Sequence, residues 1–272
     1  MNLGNRFINY LSFGLIFFLI IITVSSTEFS SRLIHNSLHN LYPQPSINIK
    51  NQEPWQRDLY FNRIKDFEQN PIGNNKIVFL GNSITAGGGD WNKKLNANNI
   101  VNRGISGDYT EGILTRLKEI IFYKPVAVFL MIGVNEFFKD ITNTPEITPN
   151  YVANNIFKIA EKIKKGSPGT LIFIETILPI NNQHYIDVKK VDYNFLQPNY
   201  KPSINDQINE VNSILKKHRK YTVLDLHHFF LNDLDVLDPT FSSDGVHLNQ
   251  NGYQILTDKI CHLIARLNSN KK

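Results

Sequence analysis

VFLGNSITAGGG, residues 78–89, decides how this chain is read. An apolar run ends at Gly81, Ser83 follows two residues later, and then come small residues and three glycines. A buried strand that stops at a glycine and turns straight into a helix leaves a hydroxyl at the strand's carboxyl end. The first N–H groups of that helix, which have no acceptor of their own, lie beside it. Short, apolar, β-branched runs of the same kind recur at 100–102, 126–132, 170–178 and 222–226, with the first strand itself at 76–80. Runs with helical periodicity lie between and around them, at 55–69, 110–121, 151–165, 203–217 and 250–267. In the first of these, Leu59, Ile64 and Phe67 mark the apolar side. Alternation of this type predicts βαβ crossovers and a parallel sheet covered by helices on both faces.

The 272 residues, 42% hydrophobic and 19% charged, suffice for one sizeable α/β domain. The formal charge is only +5. Its lysines and arginines are scattered, and Lys162, Lys164 and Lys165 read as one solvated helix face. With no basic stripe or binding motif, a nucleic-acid partner is not expected. The single cysteine, Cys261, excludes an intrachain disulfide and a cysteine zinc site, and its apolar surroundings predict a buried thiol. Residues 7–27 carry no charge, follow Arg6, and end in small residues at 24–26. Residues 1–27 therefore read as a signal peptide or an uncleaved membrane anchor, and either implies export to the periplasm, cell surface or medium. Residues 28–54 read as a linker or docked arm, 55–270 as the folded domain, and 181–202 as a long irregular loop of the functional kind.

Ligands of open parallel sheets bind beyond the carboxyl ends of the strands. Those ends carry Gly81-Asn82-Ser83, then Arg103-Gly104-Ile105-Ser106-Gly107-Asp108, then Gly133-Val134-Asn135-Glu136. "SSDGVHLNQNGY" precedes the last helix, with Asp244 and His247. The serine hydroxyl needs a base, imidazole titrates near neutrality, and a carboxylate three residues away can orient the ring. Ser83, His247 and Asp244 are the candidate catalytic residues. The backbone N–H groups of Ser83 and Gly104 and the Asn135 amide are the candidate oxyanion donors. Thr85, Ala86 and Gly87 to Gly89 are small enough to leave room above Ser83. His227 and His228 lie near Asp225, Asp233, Asp235 and Asp238, but their spacing matches no metal-ligand motif, and no metal is expected. Gly-x-Ser-x-Gly of the nucleophile elbow fails because residue 85 is threonine, and no Gly-Lys-Ser/Thr marks a P-loop.

"FLGNSIT", "NRGISGD", "MIGVNE" and "DGVHLN" together resemble, in order, the four sequence blocks of the SGNH hydrolases, or GDSL esterase/lipase family. "GISGDYTEGIL" and "DGVHLNQNGY" are most similar to its acetylesterase and platelet-activating-factor acetylhydrolase-like members. Two positions depart from the family: Asn82 and Glu136 stand where its usual residue is aspartate. The resemblance implies a three-layer α/β/α sandwich, flavodoxin-like, with a five-stranded parallel sheet. It implies ester hydrolysis through an acyl-serine, without a cofactor. The expected substrate is a small acyl ester, acetyl above all, on a carbohydrate, with Tyr185, Tyr193 and Tyr200 of the long loop positioned to stack on sugar rings or to pin the loop. Long-chain lipase or lysophospholipase activity is the alternative, and a carbohydrate-binding surface protein that keeps the fold is the non-enzymatic one.

Overall fold

The computed structural model describes residues 39–269. The expected leader or anchor at 1–27 lies outside the described residues. The chain divides into two units at Tyr42–Pro43. Residues 43–53 of the expected arm thus share a unit with the sheet; Ile49 is buried, and Lys139 Nζ donates to Asn51 O at 2.7 Å.

Five parallel strands form one sheet in the order β2-β1-β3-β4-β5. They are β1 Ile77–Gly81, β2 Ile100–Gly104, β3 Ala127–Met131, β4 Leu171–Glu175 and β5 Thr222–Leu224. Every residue of β1 and β3 is buried, as all-apolar strands in the middle of a helix-covered sheet require. Alternate side chains feed two cores. Val78, Leu80, Val128 and Leu130 pack with Ile113, Ile156 and Ile208 on one face. Ile77, Phe79 and Phe129 pack with Trp91, Leu256 and Ile260 on the other. Fully burying one such side chain contributes roughly 1.5–3 kcal/mol, against about 1 kcal/mol for a typical hydrogen bond.

The helices are α1 Pro54–Gln69, α2 Ser83–Gly87, α3 Trp91–Lys94, α4 Thr110–Thr115, α5 Leu117–Tyr123, α6 Pro149–Gly166, α7 Asn182–Lys189, α8 Ile204–Lys217 and α9 Gln250–Ser269. Four departures from the sequence reading stand out. The expected helix 110–121 breaks at Arg116 (φ −107°, ψ 22°), whose buried guanidinium turns inward. Residues 181–202 are not irregular: they hold α7 and a short 3-10 turn at Asn194–Leu196. In α1 the buried side includes Gln56, Tyr60, Phe61, Ile64 and Phe67, whereas Leu59 is exposed. Cys261 is exposed rather than buried, because it lies one residue past Ile260 on the stripe that Leu256, Ile260 and Ile264 turn inward.

Strand order reverses at β1: the chain runs from β1 to its neighbour on one side, then crosses to β3 on the other. Beyond the carboxyl ends of such strands lies the crevice where open α/β sheets bind ligands.

Candidate active site

Ser83 opens α2 directly beyond β1 and is partly exposed. Asn82 caps that helix, its Oδ1 accepting from Ile84 N at 3.0 Å. A neutral amide caps as a carboxylate does, so the family's missing aspartate leaves the local turn intact. The short helix is held at its carbonyls: the Trp91 indole N–H donates to Thr85 O at 3.0 Å, and the Tyr253 hydroxyl to Ile84 O at 2.8 Å. Of the glycines after it, Gly88 is buried against the Trp91 indole, Gly87 faces the Tyr253 hydroxyl, and Gly89, exposed at φ +59°, has open space where a Cβ would stand.

His247 Nε2 lies 3.0 Å from Ser83 Oγ, and His247 Nδ1 lies 2.8 Å from Asp244 Oδ2. Asp244 Oδ1 accepts from the backbone N–H groups of Val246 at 3.1 Å and His247 at 2.8 Å. These local bonds turn the carboxylate back onto its own loop, which is how a separation of three residues brings it under the ring. With Asp244 accepting from Nδ1–H, Nε2 is left free to take the Ser83 hydroxyl proton. Burial alone would raise the Asp244 carboxyl, but hydrogen bonds from His247 and from Lys189 hold it well below the usual carboxylate range. Lys189 Nζ is 2.8 Å from Asp244 Oδ2. No sequence motif marks this lysine, which reaches the loop from the end of α7.

Asn135 follows β3, and its Nδ2 donates one hydrogen to Asp108 O at 2.9 Å, leaving the other available. Gly104 is placed differently from its expected role. Its N–H donates to Asn102 Oδ1 at 2.9 Å, and a Cβ there would collide with the Ala86 backbone, so this glycine serves the close packing of α2 on β2. Three residues on, Gly107 sits at φ +74°, a conformation that favours glycine. Its N–H has no hydrogen-bond partner among the described residues. Buried Arg116 ties this turn to the strand ends, with Asp108 Oδ2 at 2.9 Å, Arg103 O at 2.9 Å and Gly81 O at 3.2 Å. Glu136, the second family departure, is buried and accepts from Thr110 N at 2.7 Å, reaching the start of α4. Burial pushes its carboxyl up to about 7.

The three loop tyrosines have separate fates. The Tyr200 hydroxyl accepts from Ile141 N at 2.7 Å and lies 3.1 Å from Asp140 Oδ1, which pins the loop to the domain. Tyr193 is half exposed and stacks on Phe195 with centroids 5.2 Å apart. Tyr185 is half-buried against Phe138, at 5.5 Å, and a Cβ on Gly245 would meet its backbone N. Another aromatic was missed: Trp55, 58% exposed, lies so near Gly107 that a Cβ there would come within 3.0 Å of its indole. His227 is a core group, with Nδ1 2.8 Å from Ile177 O. Among the described residues, no three His, Cys, Asp or Glu side chains are grouped to hold a metal ion.

The model of the GDSL-like lipase/acylhydrolase family matches residues 79–255, more than half of the chain. A curated relative is the N-acylneuraminate cytidylyltransferase of Escherichia coli O18:K1:H7, 25% identical over 229 residues. The match covers 80% of this chain, which spans about half (48%) of that relative's length. Among solved structures, a GDSL-like lipase of Bacteroides thetaiotaomicron is similar with a TM-score of 0.61 and 21% identity, over 76% of this chain and 97% of that one. The acetylxylan esterase Axe2 of Geobacillus stearothermophilus is similar with a TM-score of 0.53 and 20% identity, over 71% and 95%. These two share the fold. On the family match, this chain belongs to the GDSL-like lipase/acylhydrolase family.

Proposed function

We propose that the protein is an exported serine esterase that removes small acyl groups, acetyl above all, from carbohydrates. One observation carries the mechanism: the continuous hydroxyl–imidazole–carboxylate chain of Ser83, His247 and Asp244, with contacts of 3.0 and 2.8 Å. His247 Nε2 takes the Ser83 proton as Oγ attacks the ester carbonyl. The oxyanion that forms accepts hydrogen bonds from the Ser83 N–H, the free Asn135 amide hydrogen and the Gly107 N–H, which takes the place first given to Gly104. The imidazolium then returns its proton to the leaving alcohol, and an acyl-serine remains. Water, deprotonated by the same His247, attacks the acyl carbonyl; the acid leaves and Ser83 regains its proton. Asp244 stays ionised throughout, holding Nδ1–H and balancing the imidazolium.

Two observations support a carbohydrate substrate. The exposed Trp55 indole lies over the turn that carries the free Gly107 N–H, offering a stacking face for a sugar ring. Relatives named for acetylxylan and for N-acylneuraminate handle carbohydrates, by their names. Export is supported by the uncharged segment at 7–27 alone; among the described residues no helix is long and apolar enough to cross a membrane. Acyl-chain profiling with p-nitrophenyl esters, together with deacetylation of an acetylated oligosaccharide panel, tests the reading. Preference for acetate and release of acetate from at least one oligosaccharide is expected. Preference for octanoate or longer chains would favour a lipase or lysophospholipase instead.

A further inference from the structure

We propose that Lys189 is a positioning residue for hydrolysis: its ammonium clamps Asp244 from the solvent side, fixing the carboxylate beneath His247 and offsetting its charge. The proposal rests on the assignment of His247 as base and Asp244 as its partner, and goes beyond it by adding a fourth group from a different part of the chain.

The geometry is built for this contact. Helix α7 starts on the loop that carries the acid, where Asn181 N donates to Gly245 O at 2.7 Å. Asn181 Oδ1 then caps the helix, accepting from His184 N at 3.0 Å. Eight residues later the helix ends at Lys189, where Lys190 adopts a left-handed conformation (φ 54°). A helix of eight residues is about 12 Å long, so the segment leaves the acid loop and its last side chain reaches back to it. Asp244 Oδ1 is filled by two backbone N–H groups, and Oδ2 by His247 Nδ1 and Lys189 Nζ, each at 2.8 Å. The carboxylate is almost fully buried, at 6% side-chain exposure, whereas Lys189 is 42% exposed. The buried acid thus lies between two part-exposed partners, Lys189 and the 40%-exposed His247. Tyr185, one turn earlier on α7, lies under the ammonium, with Nζ 5.9 Å from its ring centroid.

A half-exposed ion pair adds little to stability, so the consequence falls on the imidazole. The titratable and charged groups on the elements packed against the Asp244–His247 loop are Lys189, Tyr185 and His184 from α7, the last against Gly245, and the Ser83 hydroxyl from α2. Among the described residues no other charged side chain is within ion-pair reach of either member. Among the described residues Lys189 is therefore the one ammonium paired with the Asp244 carboxylate. Its own ammonium is held above the ordinary lysine range by the hydrogen bond to Asp244. Removing it leaves an uncompensated carboxylate beside the ring, which favours the imidazolium and takes the base out of action at higher pH.

The test is the pH dependence of kcat/KM for p-nitrophenyl acetate, a neutral ester that gives Lys189 no anion to bind. It compares the full chain with its Lys189→Met, Lys189→Gln and Lys189→Arg variants. The acid limb of this profile reports the free enzyme's base. It should move up by about half to one pH unit in the Met and Gln variants. It should stay with wild type in the Arg variant, which keeps the charge. On the limb itself that shift reads as a 3- to 10-fold loss of rate. If the Met variant does not fold, the Gln and Arg variants decide the question. A limb unmoved in the neutral variants, or moved equally in the Arg variant, overturns the proposal. Near wild-type activity in His247→Ala would instead remove the base assignment itself, so the two failures are distinct.

Discussion

His247 Nε2 and Ser83 Oγ stand 3.0 Å apart although 164 residues separate them in the chain. Ser83 opens α2 directly beyond β1, His247 sits in the loop before α9, and only the fold brings the two together. Replacing either residue by alanine should lower kcat by roughly 10³- to 10⁶-fold, and the double variant should be scarcely worse than the singles, since such groups act as a unit. Steady-state kinetics on acetate esters checks this, with circular dichroism confirming that the sheet is intact. Additive losses in the double variant would mean that the two side chains work separately.

Asn135 donates one amide hydrogen to Asp108 O, and the proposed mechanism uses the other. Asn135→Ala should therefore cost about 100- to 1000-fold in kcat, the loss typical of one oxyanion donor, with KM changed far less. A variant that raises KM while keeping kcat would place the amide in ground-state binding instead.

Trp55 lies over Gly107 with more than half of its surface exposed. Trp55→Ala should raise KM for an acetylated oligosaccharide several-fold more than for p-nitrophenyl acetate, because stacking on a sugar ring is lost. Equal changes for both esters would count against a sugar platform.

Glu175, at the end of β4, is buried with Oε1 unpartnered, and burial pushes its carboxyl up to about 8. A raised carboxyl favours the folded state fully below the unfolded value, about 4.5, and that contribution is lost as pH rises through about 8. Thermal melts of the wild type should fall between pH 5 and pH 9, and Glu175→Gln should flatten that fall. Parallel melting curves for the two proteins would show that Glu175 is not the group responsible.

The sequence made the sheet legible where burial is complete. In β1 and β3 every residue is apolar and every residue is inside, so the run of types and the strand coincide. The meeting of Ser83, His247 and Asp244 was legible because their residue types suit one another, with Ser83 just after β1 and Asp244 and His247 three residues apart before the last helix. Helix α7 was not, because it buries none of its residues completely and has no apolar period to betray it. With α7 hidden, Lys189 was hidden too, since its partner lies 55 positions away and only the fold joins them. Gly104 and Gly107 look alike in "NRGISGD"; the bond from Gly104 N–H to Asn102, its close approach to Ala86 and the positive φ of Gly107 separate them only in the fold. Cys261 and Leu59 show the same limit in a milder form, each sitting one residue off the inward stripe of a helix.

The central claim is that Ser83 carries the acyl group between the ester and water. The most direct measurement is mass spectrometry of the protein after acid quench during turnover of p-nitrophenyl acetate, with the modified peptide mapped. The account predicts an acetyl group on Ser83 in wild type and none in Ser83→Ala. An acetyl group on another residue, or undiminished turnover in Ser83→Ala, would contradict it.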